Sequence, residues 1–291
     1  MAWSNIHFVP LAGVILLPLT FITTYFLSVY FHDVEPEFPY ISDTGTSSPE
    51  SCIFSQLLNV VACLFLFSIY LRYKQIEQYY REHLLSESSK ILCRNRCSLA
   101  VGTMACLGLS VVANFQETNL FVVHLVGAVL CFGCGLIYSW LQTWISFGTC
   151  PLVNSRGAAR WRFFLCVVMT IAFITELVAT PLAFHYYHGN NPRKWRKEDG
   201  GFWFHIASAV AEWILALCID LFIGTFIREM RKISITSPKV LFIVDNVNVS
   251  ATNFPYITDD SAEIYPGSLT STESSSNIRG SRHSSSNILI H

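Results

Sequence analysis

The chain has 291 residues, 52% of them hydrophobic and 14% aromatic, with a mean hydropathy of +0.42. Only 13% are charged, against about 25% in a typical soluble domain. That deficit excludes disorder over most of the chain and argues against a soluble enzyme, and a net charge of −1 gives no basis for nucleic-acid binding.

Six apolar stretches follow in order: 8–31, 52–71, 97–116, 119–145, 163–187 and 202–227. Each reaches the roughly 20 residues that cross about 30 Å of hydrocarbon. Together they contain three formal charges, Glu176, Glu212 and Asp220. They lack the alternation of a membrane barrel. The expected fold is therefore all-α, a polytopic integral membrane protein with six transmembrane helices in one compact bundle over residues 1–235.

The first stretch has no Lys or Arg before it, an apolar run too long for a signal peptide's core and no small-x-small site after it. It reads as a retained span, bent at Pro18. The segment 32–51 that follows has no Lys or Arg but carries Asp33, Glu35, Glu37, Asp43 and Glu50. The segment 72–96 has six basic residues, Arg72, Lys74, Arg81, Lys90, Arg94 and Arg96, and 146–162 has Arg156, Arg160 and Arg162. The tail adds Arg228, Arg231, Lys232, Lys239, Arg279 and Arg282. Both termini are thus expected in the cytosol, with fifteen basic residues on that side and four, Arg193, Lys194, Arg196 and Lys197, on the other. Tyr30, Tyr70, Tyr73, Trp140, Trp144, Trp161, Tyr186 and Trp203 fall near span ends, as an interfacial aromatic belt requires.

From 236 to 291 the composition changes, with ten serines in the last 31 residues, and this reads as a disordered cytosolic tail. It holds Asn248-Val249-Ser250, the one N-x-S/T sequon, placed in the cytosol by the charge count. Six of the ten cysteines fall within spans, so no disulfide framework is expected; Cys93, Cys97 and Cys150 are juxtamembrane candidates for lipidation. Of the sorting signals, Tyr73-Lys74-Gln75-Ile76 fits a tyrosine-based pattern, and Leu84-Leu85 lacks the acidic residue expected before it.

No P-loop, GxSxG, HExxH or dinucleotide-binding pattern appears, and no nucleophile, base and orienting group can be placed together. The expectation is no catalytic residue, no cofactor and no metal. What remains is polar residues inside the spans. His205, Ser208, Glu212, Ala216 and Asp220 recur at helical steps in span six. His124, Gly127, Cys131, Gly135, Tyr138 and Gln142 do so in span four, and Glu176 and Thr180 in span five. Asn59 in span two and Asn114 in span three complete the set. Small residues on these faces let helices approach and polar ones bond across. With no Lys or Arg inside any stretch, the three carboxyls must be protonated, paired with histidine or open to water, and such groups point by default to an ion or proton path. An unperturbed imidazole titrates near pH 6.5. His32, His124, His185, His188 and His205 lie toward the non-cytosolic face, so acidification there is expected to repack spans four to six, with His205 paired to Glu212 if the two meet.

The first non-cytosolic segment reads Pro39-Tyr40-Ile41-Ser42-Asp43-Thr44-Gly45-Thr46, then Pro49-Glu50-Ser51; Asn59 and Arg72-Tyr73-Lys74 follow. Gly108, Val112-Ala113-Asn114-Phe115-Gln116-Glu117, His124, Gly127 and Glu212-Trp213 come later. In order and spacing over residues 5–235 these resemble the DNA damage-regulated autophagy modulator family, within the wider Frag/DRAM group of six-span proteins. One loop departs: the family usually has Trp before Asn-Pro, whereas here Trp195 follows Asn191-Pro192. The resemblance implies a lysosomal or endosomal membrane protein that promotes autophagy without catalysis, engaging cytosolic autophagy machinery through 72–96 and the tail. It also makes Tyr40, Asp43, Thr44 and Gly45 a family-motif loop. Members of the wider group tied to lipid remodelling, lipid regulation and mechanosensitive currents leave a channel, transporter or lipid-handling role as the alternative, using the polar faces of spans four to six.

Overall fold

Hydrocarbon offers the backbone no hydrogen-bond partners, so the apolar stretches must satisfy their amides internally, and they do so as helices. The computed structural model describes residues 2–83 and 89–236. Leu84-Leu85 and the serine-rich tail, with its sequon and with Lys239, Arg279 and Arg282, lie outside the described residues. Helices α1 (Phe8–Tyr30), α2 (Glu50–His83) and α3 (Ser89–Asn114) make the first three spans. The fourth is composite: α4 (Phe121–Ala128), a π-helical turn (Val129–Cys134) and α5 (Gly135–Gly148). The fifth is α6 (Arg156–Tyr186); the sixth is α7 (Phe202–Gly224) followed by the short α8 (Ile227–Met230). All six are long and apolar enough to cross a membrane.

Each span packs on the next one in the chain, and α7 returns against α1, so the six close into a ring in sequence order. Outward faces are apolar: Ile15, Leu19, Ile22 and Phe26 form an exposed stripe along α1, and Ile171, Ile174 and Val178 do the same on α6. In water such surface would be a liability; in a bilayer it is the solvent-facing side. Between α3 and the fourth span the backbones nearly touch. A Cβ on Gly108 would collide with the Cys131 amide and the Gly127 carbonyl, and one on Gly127 would lie 2.7 Å from Val111. Small residues at this crossing are a steric requirement.

One feature had no signal in the sequence. Strand β1 (Ala2–Trp3) pairs antiparallel with β2 (Ile235–Thr236), Ala2 opposite Thr236 and Trp3 opposite Ile235. Two-residue strands carry no periodicity to detect.

The second unexpected feature corrects the charge reading. Arg72 and Arg162, which the sequence places in cytosolic-side segments just beyond the apolar stretches, are completely buried, because α2 and α6 run past those stretches. They share Glu229 of α8: Arg72 Nη1 lies 2.5 Å from Oε2 and Arg162 Nη2 lies 2.6 Å from Oε1. The Phe226 ring sits beside both guanidiniums, 5.2 Å from that of Arg72 and 4.7 Å from that of Arg162. Arg72 Nε donates to Gln142 Oε1 at 3.3 Å, and Gln142 Nε2 donates to Ser98 Oγ at 2.8 Å. Arg162 donates to Ser146 Oγ at 2.7 Å and to Thr225 Oγ1 at 2.8 Å. This network joins spans two to six at one end of the ring, called here the arginine end.

Removing one partner of a buried ion pair strands the others without compensation, at a cost of about 3 kcal/mol or more. Glu229→Ala is therefore expected to lower the folded, monodisperse yield and the unfolding temperature in detergent far more than Glu77→Ala, whose ion pairs with Lys74 and Arg81 reach the surface. Thermal unfolding of the two purified variants checks this.

Candidate functional site

The opposite end is closed by the segment 39–46, folded inward rather than left as a solvated loop. Ser42–Gly45 forms a 3-10 turn. The bonds of the segment reach α7, α1 and the α3–α4 turn: Trp213 Nε1 of α7 donates to Pro39 O at 3.1 Å, and the Ile41 amide donates to Glu212 Oε2 at 2.8 Å. The Tyr40 hydroxyl is hydrogen-bonded to Ser208, Thr44 Oγ1 lies 3.0 Å from Thr24 Oγ1 of α1, and Ser42 Oγ donates to Glu117 Oε2 at 3.0 Å. Gly45 is buried, and a Cβ there would lie 2.5 Å from the Phe54 ring, so the turn sits on α2 only because this residue has no side chain. Tyr40, Asp43, Thr44 and Gly45 thus form one plug.

Beneath the plug lies a cavity of about 90 Å³, lined from α1, α2, α3, the fourth span and α7. Ile41, Ser42, His124 and Glu212 form its roof and Tyr138, Ile69 and Ile223 its floor. The π-helical turn supplies Cys131 and Phe132 to its wall. No Lys or Arg is among the described residues that line it.

Other polar residues singled out from the sequence are distributed around this plug and cavity. Asn59 and Asn114 meet: each amide nitrogen donates to the other's oxygen, at 3.0 and 3.1 Å, and Ser110 Oγ donates to Asn59 Oδ1 at 2.7 Å. His124 is buried, with Nδ1 2.7 Å from Phe115 O and Nε2 4.0 Å from Glu117 Oε2. Glu117, at the end of the 112–117 motif, carries no site signal in the sequence, because its role depends on a fold that brings the α3–α4 turn under the 39–46 segment. Glu176 on α6 is half-buried with Oε2 unpartnered among the described residues, and Asp220 is buried with Oδ1 likewise unpartnered. Of the three intramembrane carboxyls, Glu176 and Glu212 lie close enough to interact electrostatically, whereas Asp220 stands apart, two turns below Glu212 on α7.

The expected His205–Glu212 pairing does not form. Seven residues apart, the two are separated by two helical turns, about 10 Å of rise. His205 instead stacks on Trp195, centroids 4.5 Å apart and planes at 18°, with the Tyr40 ring edge-on at 4.9 Å. Trp195 is 4% exposed and its Nε1 donates to Gly200 O at 2.7 Å. The tryptophan after Asn191-Pro192 is therefore an anchor of the 187–201 loop. The candidate tyrosine signal also changes character: it continues α2 and Ile76 is fully buried, which leaves no accessible linear motif there. Among the described residues no cluster of His, Cys, Asp and Glu could hold a metal.

Asp43 is the carboxyl of the plug, and its surroundings perturb it. Burial pushes its carboxyl well above the usual range, and the negative charge of Glu117, to which it is hydrogen-bonded, adds to this. Glu212 acts in the same direction and Arg193 against it. Arg193 is itself engaged by Thr46 Oγ1 at 3.0 Å and Ser47 Oγ at 3.1 Å. A carboxyl whose proton is held more tightly in the folded state favours folding at low pH; that contribution is complete below the ordinary carboxylate range and is lost as pH rises through the raised value. Asp43→Asn is therefore expected to gain stability relative to wild type at pH 7.5 and to lose that advantage at pH 5. Unfolding temperatures of both proteins at the two pH values read the difference directly.

Residues 5–233 match the Frag1/DRAM/Sfk1/Cwh43P N-terminal domain family. DNA damage-regulated autophagy modulator protein 2 of Bos taurus is 37% identical over 236 residues, covering 80% of this chain and 86% of that protein. DNA damage-regulated autophagy modulator protein 1 of Xenopus laevis is 36% identical over 229 residues, covering 78% and 92%. The modulator of macroautophagy TMEM150B of Danio rerio is 32% identical over 197 residues, covering 68% and 72%. No solved structure matches.

Proposed function

The chain belongs to the Frag1/DRAM/Sfk1/Cwh43P family, and from that premise we propose that it is a non-enzymatic membrane regulator of autophagy, resident in lysosomal or endosomal membranes with both termini in the cytosol. The observation that carries this reading is the extent of the likeness: relatives named as autophagy modulators match over 68 to 80% of the chain, and the family match runs over residues 5–233. The segments that carried the family resemblance, 39–46 and 112–117, meet in one plug that seals the ring. A plug held by buried side-chain bonds supports a scaffold role, with the faces for cytosolic autophagy machinery supplied by 72–96 and the tail. The orientation is supported by the excess of Lys and Arg on one side. Burial of Arg72 and Arg162 leaves that excess in place, because both stay at the same end of the ring.

A second reading, a channel, transporter or lipid-handling protein, is supported by one observation: the cavity behind the plug with Glu212 in its roof. Two measurements on tagged protein separate the readings. In cells, the regulator is expected on membranes bearing lysosomal markers, with its loss lowering autophagic degradation of a reporter cargo. Glu212→Gln should retain that activity if the protein acts as a scaffold and lose it if ions or solutes must pass the cavity. Protein confined to the plasma membrane, with unchanged degradation, would sink the proposal.

Orientation has its own test. The sequon at Asn248 is in the cytosol on this topology, out of reach of the glycosyl transferase. No glycosidase-sensitive mass shift is expected, and one that vanished in Asn248→Gln would reverse the topology.

A further inference from the structure

We infer that the protein is S-acylated at Cys93 and Cys97, each thiol carrying a long-chain fatty acid in thioester linkage at the arginine end of the ring. This goes beyond the proposed role and rests on the proposed orientation, which puts that end in the cytosol.

All ten cysteines are free, and four of them are exposed: Cys52, Cys63, Cys93 and Cys97. Cys52 stands at the plug end, near the start of α2, and Cys63 falls in the middle of the second apolar stretch, deep in hydrocarbon. Cys93 and Cys97 remain, one turn apart near the start of α3. Cys150 shares their end of the ring but not their freedom. It is half-buried, its thiol donates to Ser146 O at 3.2 Å, and its sulfur accepts from Asn154 Nδ2 at 3.0 Å.

Neighbouring contacts fix the depth of the pair. Ser98, next to Cys97, is bonded to Gln142, so Cys97 stands level with the arginine network. Three residues outward the Arg94 guanidinium lies 5.7 Å from the ring of Trp144, which is exposed. A lipid-facing tryptophan beside a cation marks the headgroup level. Lys90 and Arg96 are exposed on either side of Cys93 and face the same anionic headgroups. Cys93 is therefore interfacial, and Cys97 lies about 6 Å deeper, the juxtamembrane zone in which cysteines are S-acylated.

The same stripe offers the acyl chain a track. Ala100, Met104 and Leu107 continue the outward face of α3 at helical steps, and all three are exposed. From Cys97 to Leu107 the helix rises about 15 Å, one leaflet's share of a hydrocarbon core about 30 Å thick. A long chain on Cys97 thus has a full leaflet of apolar helix to lie along, and the small Ala100 leaves room beside the thioester.

The transfer needs no oxidant or reductant. The cysteine sulfur attacks the carbonyl carbon of a long-chain acyl thioester held by a membrane acyltransferase. The new S–C bond forms as the donor's breaks, and the cysteine proton passes to the departing sulfur.

Acyl exchange on the full-length chain from cells tests this. Free thiols are blocked with N-ethylmaleimide, thioesters are cleaved with hydroxylamine, and the released thiols are joined to a polyethylene glycol maleimide that slows migration. Two hydroxylamine-dependent steps are expected in the wild type and in Cys150→Ser, one in Cys93→Ser or Cys97→Ser, and none in the double variant. Alkynyl palmitate fed to the cells should label the wild type and not the double variant. Equal unfolding temperatures show that the serine variants are folded. Steps that persist in the double variant, vanish in Cys150→Ser or never appear overturn the proposal. In the last case an impermeant maleimide, added after digitonin opens the plasma membrane alone, separates the causes. Cys93 modified, read by mass spectrometry, means that the orientation stands and acylation alone fails; Cys93 unmodified means that the orientation falls with it.

Discussion

Two arginines divide one carboxylate, and most of the ring hangs on that division. Glu229 stands on a short helix after the sixth span, and its two oxygens reach Arg72 from the second and Arg162 from the fifth. Gln142, Ser146 and Ser98 extend the same network to the fourth and third. Helices in hydrocarbon gain little from mutual hydrophobic burial, because lipid tails are as apolar as leucine. Directional contacts must therefore fix their azimuths, and a buried charge network is strongly directional. Its value lies in specificity more than in stability: a well-packed apolar replacement can equal a buried ion pair in energy, but it does not dictate which helix faces which.

The two ends of the ring use different means. The arginine end is closed by side chains projecting from helices, the other by backbone folded back into the bundle. Non-helical backbone such as the segment 39–46 can lie at this depth only because helix side chains meet its polar groups, as Trp213 does for the Pro39 carbonyl and Glu212 for the Ile41 amide. Between them the protein tolerates a cavity, and the fourth span breaks into a π-helical turn beside it. Such turns widen a helix by one residue and are frequent where a wall must be shaped rather than merely packed.

Six apolar stretches and their class were legible because hydropathy over about 20 residues is a strong, local signal. The Asn59–Asn114 pair was legible in part: both asparagines stood out as polar groups in apolar helices, and the structure joins them through reciprocal amide bonds. The arginine network was not, because Arg72 and Arg162 fall one residue beyond the ends of apolar runs, where a basic residue reads as a topology marker. Glu229 lay past the sixth stretch and read as part of the tail. Helices that outrun their hydrophobic segment turn flanking charges into interior ones, and the sequence marks no such extension. The His205–Glu212 pairing failed for the opposite reason: a shared helical stripe places residues on one face but leaves two turns between them, and Trp195, in the loop just before α7, takes the histidine instead.

A ring closed in chain order has a consequence for biogenesis. Spans enter a membrane sequentially as the ribosome delivers them, and here each new span finds its neighbour already inserted. Such local pairing keeps the loops to be closed short and the entropic penalty small. The exception is the seam between the first and last spans, where Ala2–Trp3 meets Ile235–Thr236. Until α7 is in place the first helix has only one flank covered, and Arg72 and Arg162 wait for Glu229 of α8. The nascent chain is thus an open arc with two uncompensated cations, and a truncation just before α8 would close the arc through α7 yet leave both cations without Glu229.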